Sequence, residues 1–149
     1  MTVFTDGSVA HEKQTSGWAA LVKGRKQAIH SHLHEGKMSP QKAEVLAIIG
    51  VLEHLMPDEP LHICTDSEYA FHLTTGKTKA YPDLYERIQH LIAGRDVHFH
   101  LVKGKSTKNT KLVDGLARMA AGLKPRWESA RDVFNHLANK GQLLQVAFA

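Results

Sequence analysis

Cysteine is almost missing from this 149-residue chain: Cys64 stands alone, so no disulfide forms within it. The fold must be held by its own apolar core, and a chain of this length is long enough to bury one as a single domain. The lack of disulfides suits a reducing compartment, and the cytoplasm is the expected location. No apolar run approaches the roughly 20 residues that span a bilayer. The first residues lack a basic stretch followed by an apolar one, so no secretion signal is expected. Internal repeats and low-complexity tracts are missing as well. Acidic residues are in the minority, 15 against 19 basic ones, for a net charge of +4. That excess permits a polyanionic partner without requiring one. Histidine, by contrast, is plentiful, with 11 copies.

Alternating and β-branched residues predict strands over 2–6, 16–22 and 27–34, joined by short polar stretches into an antiparallel meander. Ser39 and Pro40 are suited to start a helix. Ala43, Leu46, Ala47 and Gly50 form one stripe of it, and Val45, Ile48, Ile49 and Leu52 another. A helix apolar on so much of its surface is a buried, central one. Pro57 and Pro60 bound it. A fourth strand is expected over 61–65 and a fifth over 97–102. Between them a helix runs from Pro82 to Gly94, with Leu84, Ile88, Leu91 and Ile92 facing inward. A basic polar loop, KGKSTKNT, precedes a helix over 111–123 that Pro125 stops. Beyond it, Ala130, Val133, Phe134 and Leu137 predict a tail helix ending before Gly141. The order βββαβαβα plus a tail helix gives an α/β fold, a mixed sheet with helices on its faces. The long third connection allows the fourth strand to lie parallel to the first.

Two of these strands end on the same pair of residues, Thr-Asp, at Asp6 and Asp66. An unpaired charge at the end of a buried strand is costly. If the strands are parallel neighbours, both carboxylates emerge at the end of an open α/β sheet where sites are usually built. Glu44 is the one acid in the apolar body of the central helix. Asp114 follows the basic loop by about one helical turn. Each has a plainer reading alone: Asp before Gly or Ser is a frequent turn former, and Asp114 suits a helix N-terminus. Together, four converging acids would repel one another, and an oxygen-only set selects hard divalent cations such as Mg²⁺ or Mn²⁺.

The stretches TDGS (5–8), SGWAALV (16–22), SPQKAEVLAI (39–48), TDSEYAF (65–71) and KLVDGLA (111–117) resemble type 1 ribonuclease H. The likeness runs from about Val3 to Leu123. Its Ser-Pro-Gln-Lys-Ala-Glu segment is most similar to the retroviral and retrotransposon branch. The resemblance implies a five-stranded mixed sheet of order 3-2-1-4-5 over residues 1–124, with 125–149 as a helical tail. It also implies endonucleolytic hydrolysis of the RNA strand of RNA–DNA hybrids, leaving 5′-phosphate and 3′-hydroxyl ends. Asp6, Glu44, Asp66 and Asp114 match the family's metal-binding, catalytic acids, which hold two Mg²⁺ or Mn²⁺ ions. Gly7, Ser8, Ser39 and Gln41 match positions that read the hybrid's minor groove, and Lys103 and Lys105 stand where the backbone would be held. The implied partner is the hybrid, and the chain is expected to act as a monomer, either free-standing or as a module of a reverse transcriptase. A resolvase- or integrase-type nuclease and a non-catalytic hybrid-binding module are the alternatives. All four acids are present, which argues against the latter.

Three features depart from the family pattern. Only about thirty residues separate Asp66 from the fifth strand, too few for a basic protrusion, which leaves Lys77 and Lys79 as its remnant or as solvated loop residues. The loop after the fifth strand has no histidine. Lys105 follows Lys103-Gly104 there and supplies a point charge instead of an exchangeable imidazole proton. Finally, His30, His32 and His34 alternate on the third strand, and His98 and His100 on the fifth. Such spacing is compatible with Zn²⁺. Without cysteine or a spaced carboxylate partner, the expected reading is the polar outer face of an edge strand.

Overall fold

Small and β-branched residues dominate the first 22 positions, and they pair as a long hairpin in the computed structural model, which describes residues 1–24 and 27–148. Strand β1 (Thr2–Ala10) lies antiparallel to β2 (Thr15–Val22), with Asp6 opposite Ala19. β1 therefore runs four residues past the predicted end at Asp6. The prediction fails on one edge only. On the other, β1 pairs in parallel with β5 (Leu61–Thr65), and that pairing stops at Phe4 opposite Cys64. Asp6 and Asp66 each lie two residues beyond this last pair, so the sheet opens between them.

The segment predicted as one edge strand over 27–34 is two short strands. β3 (Ala28–Ser31) pairs with β2, and β4 (His34–Glu35) pairs with the start of β2. β3 is not an edge either, because β7 (Leu143–Val146) lies parallel to it on the outside. The sheet order is β6-β5-β1-β2-β3-β7, with β4 off this path. The expected five-strand order is contained in it, and β6 (Val97–Leu101) forms the far edge. His30, expected to face solvent, is 7% exposed and stands edge-on to Phe134. His34 stacks on Phe148.

Helix α1 (Pro40–His54) starts as predicted: the Ser39 hydroxyl accepts the Lys42 amide, and Pro40 sits in the first turn. Its residues from Val45 to Leu52 are buried all round, between the sheet and α3 (Pro82–Ile92). With Trp18, Ile63 and Ile88 they make the larger core. A short helix not foreseen in the sequence, α2 (Glu68–Thr74), follows β5 and is capped by Ser67. Seven residues are too few for a clear helical period. On the opposite face, α4 (Lys108–Ala120) begins three residues before the predicted start, because Thr107 and Thr110 cap each other reciprocally.

The residues after Pro125 are a helix, α5 (Glu128–Asn139), and the strand β7 rather than a helix alone. Ala130 and Leu137 of α5 join Leu21, Leu112 and Leu116 in the second core. The Trp18 indole donates to the Phe148 carbonyl at 2.6 Å, binding the far end of the chain to the middle of the sheet.

Candidate active site

Glycine at position 7 lets α1 approach β1. A Cβ there would stand 2.6 Å from the Ala43 carbonyl carbon and 2.7 Å from the Glu44 amide nitrogen, both impossibly close. The contact brings the second turn of α1 against β1 and delivers Glu44 to Asp6. Asp66 joins from the end of β5. One carboxylate oxygen from each of Asp6, Glu44 and Asp66 lies within 4.8 Å of the others. Gly104, in the loop after β6, encloses Asp66: a Cβ at this position would sit 2.3 Å from Asp66 Oδ2.

The protonation chemistry reflects the crowding. Burial pushes the Asp6 carboxyl up to about 7; Glu44 and the Gly7 amide oppose the rise, and the charges of Asp66 and Asp114 add to it. Glu44 is driven well above the usual carboxylate range, by burial first and then by Asp6 and Asp66. Asp66 is raised as well, chiefly by burial, with Lys105 pulling the other way. Glu44 Oε2 is buried with no hydrogen-bond partner. Three acids that resist ionisation and a carboxylate oxygen left bare are what a hard cation would satisfy. The donor set fits a divalent ion.

Asp114 is held differently. It lies on α4 and is 5% exposed, but its oxygens already have cationic partners. Arg126 Nε donates to Oδ2 at 3.3 Å, and Lys105 Nζ is 4.0 Å from Oδ1. Of the four acids picked out in the sequence, three are brought together and the fourth stands beside them, paired. Lys105 adopts a left-handed backbone, φ 56°, and so turns back toward the acids. Lys103 lies two residues earlier in the same loop.

The expected substrate-contacting residues line the neighbouring surface. Gly7 and Ser8 continue β1. Gln41 is exposed in the first turn of α1, and Ser39, besides capping that helix, shares a 2.7 Å hydrogen bond with the Tyr81 hydroxyl. A cleft of about 400 Å³ opens beside Ser39, between the β1–β2 hairpin (His11, Gln14) and Lys37. Sequence reasoning missed Arg126 and the role of Gly104. The first lies outside every recognisable motif. The second was visible as Lys-Gly, but only packing shows that the glycine makes room for a carboxylate.

Comparison with known proteins agrees with this geometry. The RNase H family matches residues 1–122. A ribonuclease H of Oleidesulfovibrio alaskensis is 31% identical over 150 aligned positions, covering 86% of this chain and 96% of the relative. One from Nitratidesulfovibrio vulgaris is 30% identical, covering 81% and 88%. One from Legionella pneumophila is 26% identical, covering 78% and 93%. The chain belongs to the ribonuclease H family.

Proposed function

We propose that this member of the family is a metal-dependent endoribonuclease that hydrolyses the RNA strand of RNA–DNA hybrids, leaving 5′-phosphate and 3′-hydroxyl ends. The observation that carries the reading is the convergence of Asp6, Glu44 and Asp66 around a buried, unpartnered Glu44 oxygen. In this reading the three acids, joined by Asp114, hold two Mg²⁺ or Mn²⁺ ions. Such ions supply Lewis acidity, which activates a water and neutralises the departing 3′ oxygen.

The chain's own residues have the remaining tasks. Asp6 and Glu44, one on the central strand and one on the central helix, would hold the ions at positions fixed by rigid elements. Arg126 and Lys105, which pair with Asp114, are the cations beside the site that the substrate backbone would meet. Gly7, Ser8, Ser39 and Gln41 read 2′-hydroxyls in the minor groove, where a hybrid differs from DNA without regard to base sequence. Lys103 and Lys105 hold phosphates as point charges.

The bacterial relatives are matched over 88–96% of their lengths in the two more identical cases. Their names support ribonuclease H activity over a resolvase-type one. The Ser39–Glu44 segment supports a retroelement-like variant of the site. We read the protein as a cytoplasmic monomer, in keeping with its one free thiol.

The test is cleavage of an end-labelled RNA–DNA hybrid with Mg²⁺, Mn²⁺ or EDTA, beside duplex DNA and duplex RNA. Metal-dependent cutting of the hybrid alone, abolished in Asp66→Asn, is expected. Equal cutting of DNA would favour a resolvase-type nuclease, and binding without cutting would favour a hybrid-binding module.

A further inference from the structure

One face of the sheet is only partly roofed. α4 packs on β1, β2 and β3, and among the described residues no helix on that side packs comparably on β5 and β6. Three histidines project from this bare area. His62 of β5 and His98 of β6 are register partners, and His100 follows two residues on, so alternation puts it on the same face. The His62 and His98 rings stack at 4.8 Å with 18° between their planes, and the His62 and His100 ring centres are 5.1 Å apart. His62 Nδ1 and His100 Nε2 approach to 2.8 Å. His98 Nε2 lies 2.6 Å from Asp96 Oδ1.

Asp96 stands two residues before His98, a D-x-H-x-H alternation that the reading of the fifth strand passed over, and the fold adds His62 from the adjacent strand. From this juxtaposition we infer that His62 and His100, flanked by the Asp96–His98 pair, form a binding site for a borderline transition-metal ion such as Zn²⁺, separate from the carboxylate site.

The geometry is close to what such an ion needs. Zn–N bonds of about 2.0–2.1 Å in a tetrahedral set place two nitrogens roughly 3.3 Å apart. The His62 and His100 nitrogens, now 2.8 Å apart, have only to open slightly. Nitrogen donors distinguish this site from the oxygen-only cluster of Asp6, Glu44 and Asp66, so each selects its own class of ion.

The experiment titrates the full-length chain with Zn²⁺ alone against a chromogenic chelator, in excess Mg²⁺ and in a Glu44→Gln background so that the acidic cluster does not contribute. One equivalent bound with micromolar affinity is expected. His62→Ala and His100→Ala should each weaken it at least tenfold. In NMR spectra of the unmutated chain, the ring signals of His62 and His100 should be the ones that move. Hybrid cleavage in Mg²⁺ by the two alanine variants, in an otherwise unmutated chain, checks that they fold. Binding that persists undiminished in the His62→Ala, His100→Ala double variant, or no binding at 100 µM Zn²⁺, overturns the assignment.

Discussion

Gly104→Ala isolates the geometry of the site from its chemistry. The added methyl would stand 2.3 Å from Asp66 Oδ2, where ordinary contact requires about 3.4 Å, so the carboxylate must retreat by roughly 1 Å. The backbone has no objection: Gly104 is not among the glycines with positive φ, so alanine fits its conformation. Nor should stability suffer much, because Asp66 is only half-buried and has solvent to turn into. Misplacing a group by about 1 Å at a reacting centre costs on the order of 100-fold in rate, or about 2.7 kcal/mol of transition-state stabilisation. The expected outcome is a cleavage rate down about 100-fold, a weaker response to Mg²⁺ and a melting temperature within a few degrees of the parent. Single-turnover cleavage across a Mg²⁺ series, with thermal melting alongside, reads all three. The control is Gly94→Ala, at φ 73° with nothing within 4 Å. It should lower stability and leave cleavage unchanged. If Gly104→Ala cuts within threefold of the parent rate at every Mg²⁺ concentration, Asp66 has no fixed position to lose.

Further outcomes follow from the buried charges and the C-terminal elements. Asp6→Asn and Glu44→Gln should abolish cleavage yet raise the metal-free melting temperature by several degrees at pH 8. The native state favours the protonated form of Asp6, so this group's contribution to stability is full below about pH 4 and drains away as pH climbs to about 7; the gain should vanish at pH 4. His30 has the opposite sign. Burial first, then His32, holds it at about 4 against an ordinary 6.5, so its neutral ring favours folding above pH 6.5 and costs up to roughly 3 kcal/mol as pH falls to 4. His30→Leu should remove that loss, seen as a flatter stability profile from urea melts between pH 6.5 and 4. Ending the chain at residue 124 would remove the buried side chains of Ala130, Leu137, Val146 and Phe148. At about 1.5–3 kcal/mol for each large one, the loss is comparable to a whole domain's stability. A shortened chain that melts and cuts like the parent would show residues 125–149 to be dispensable.

The parts of the fold legible in the sequence were those where one local signal sufficed. Ser39-Pro40 announces the start of α1, and the unbroken apolar run of 43–52 announces its burial. Pro82 and Gly94 frame α3. What escaped were features decided by neighbours distant in sequence. Asp6 looked like a strand end because the apolar run stops there, yet β1 continues for four residues by pairing with β2. The β3 histidines looked like an exposed edge because nothing in 27–34 says that residues 143–146 will lie alongside. α2 was too short to show a period. The three acids were legible because each sits beside a residue whose smallness or position is itself a signal; strand order brings Asp6 and Asp66 together, and the close packing at Gly7 adds Glu44.

Arg126 marks the limit of that legibility and shows why the C-terminal elements bear on the site. A buried carboxylate needs a counter-charge, and for Asp114 the nearer one comes from residue 126, beyond the span of the family match at 1–122. The other, Lys105, stands 4.0 Å away in the loop after β6. The three clustered acids are raised chiefly by burial, with mutual repulsion adding to it at Asp6 and Glu44 and Lys105 easing Asp66. The site is therefore electrostatically uneven before any ion arrives, unneutralised at Asp6, Glu44 and Asp66 and already paired at Asp114. A first cation entering among the three acids relieves repulsion. One that also recruits Asp114 must compete with Arg126. The two binding events in this reading are accordingly unequal in strength, and Arg126 is the residue that sets the difference.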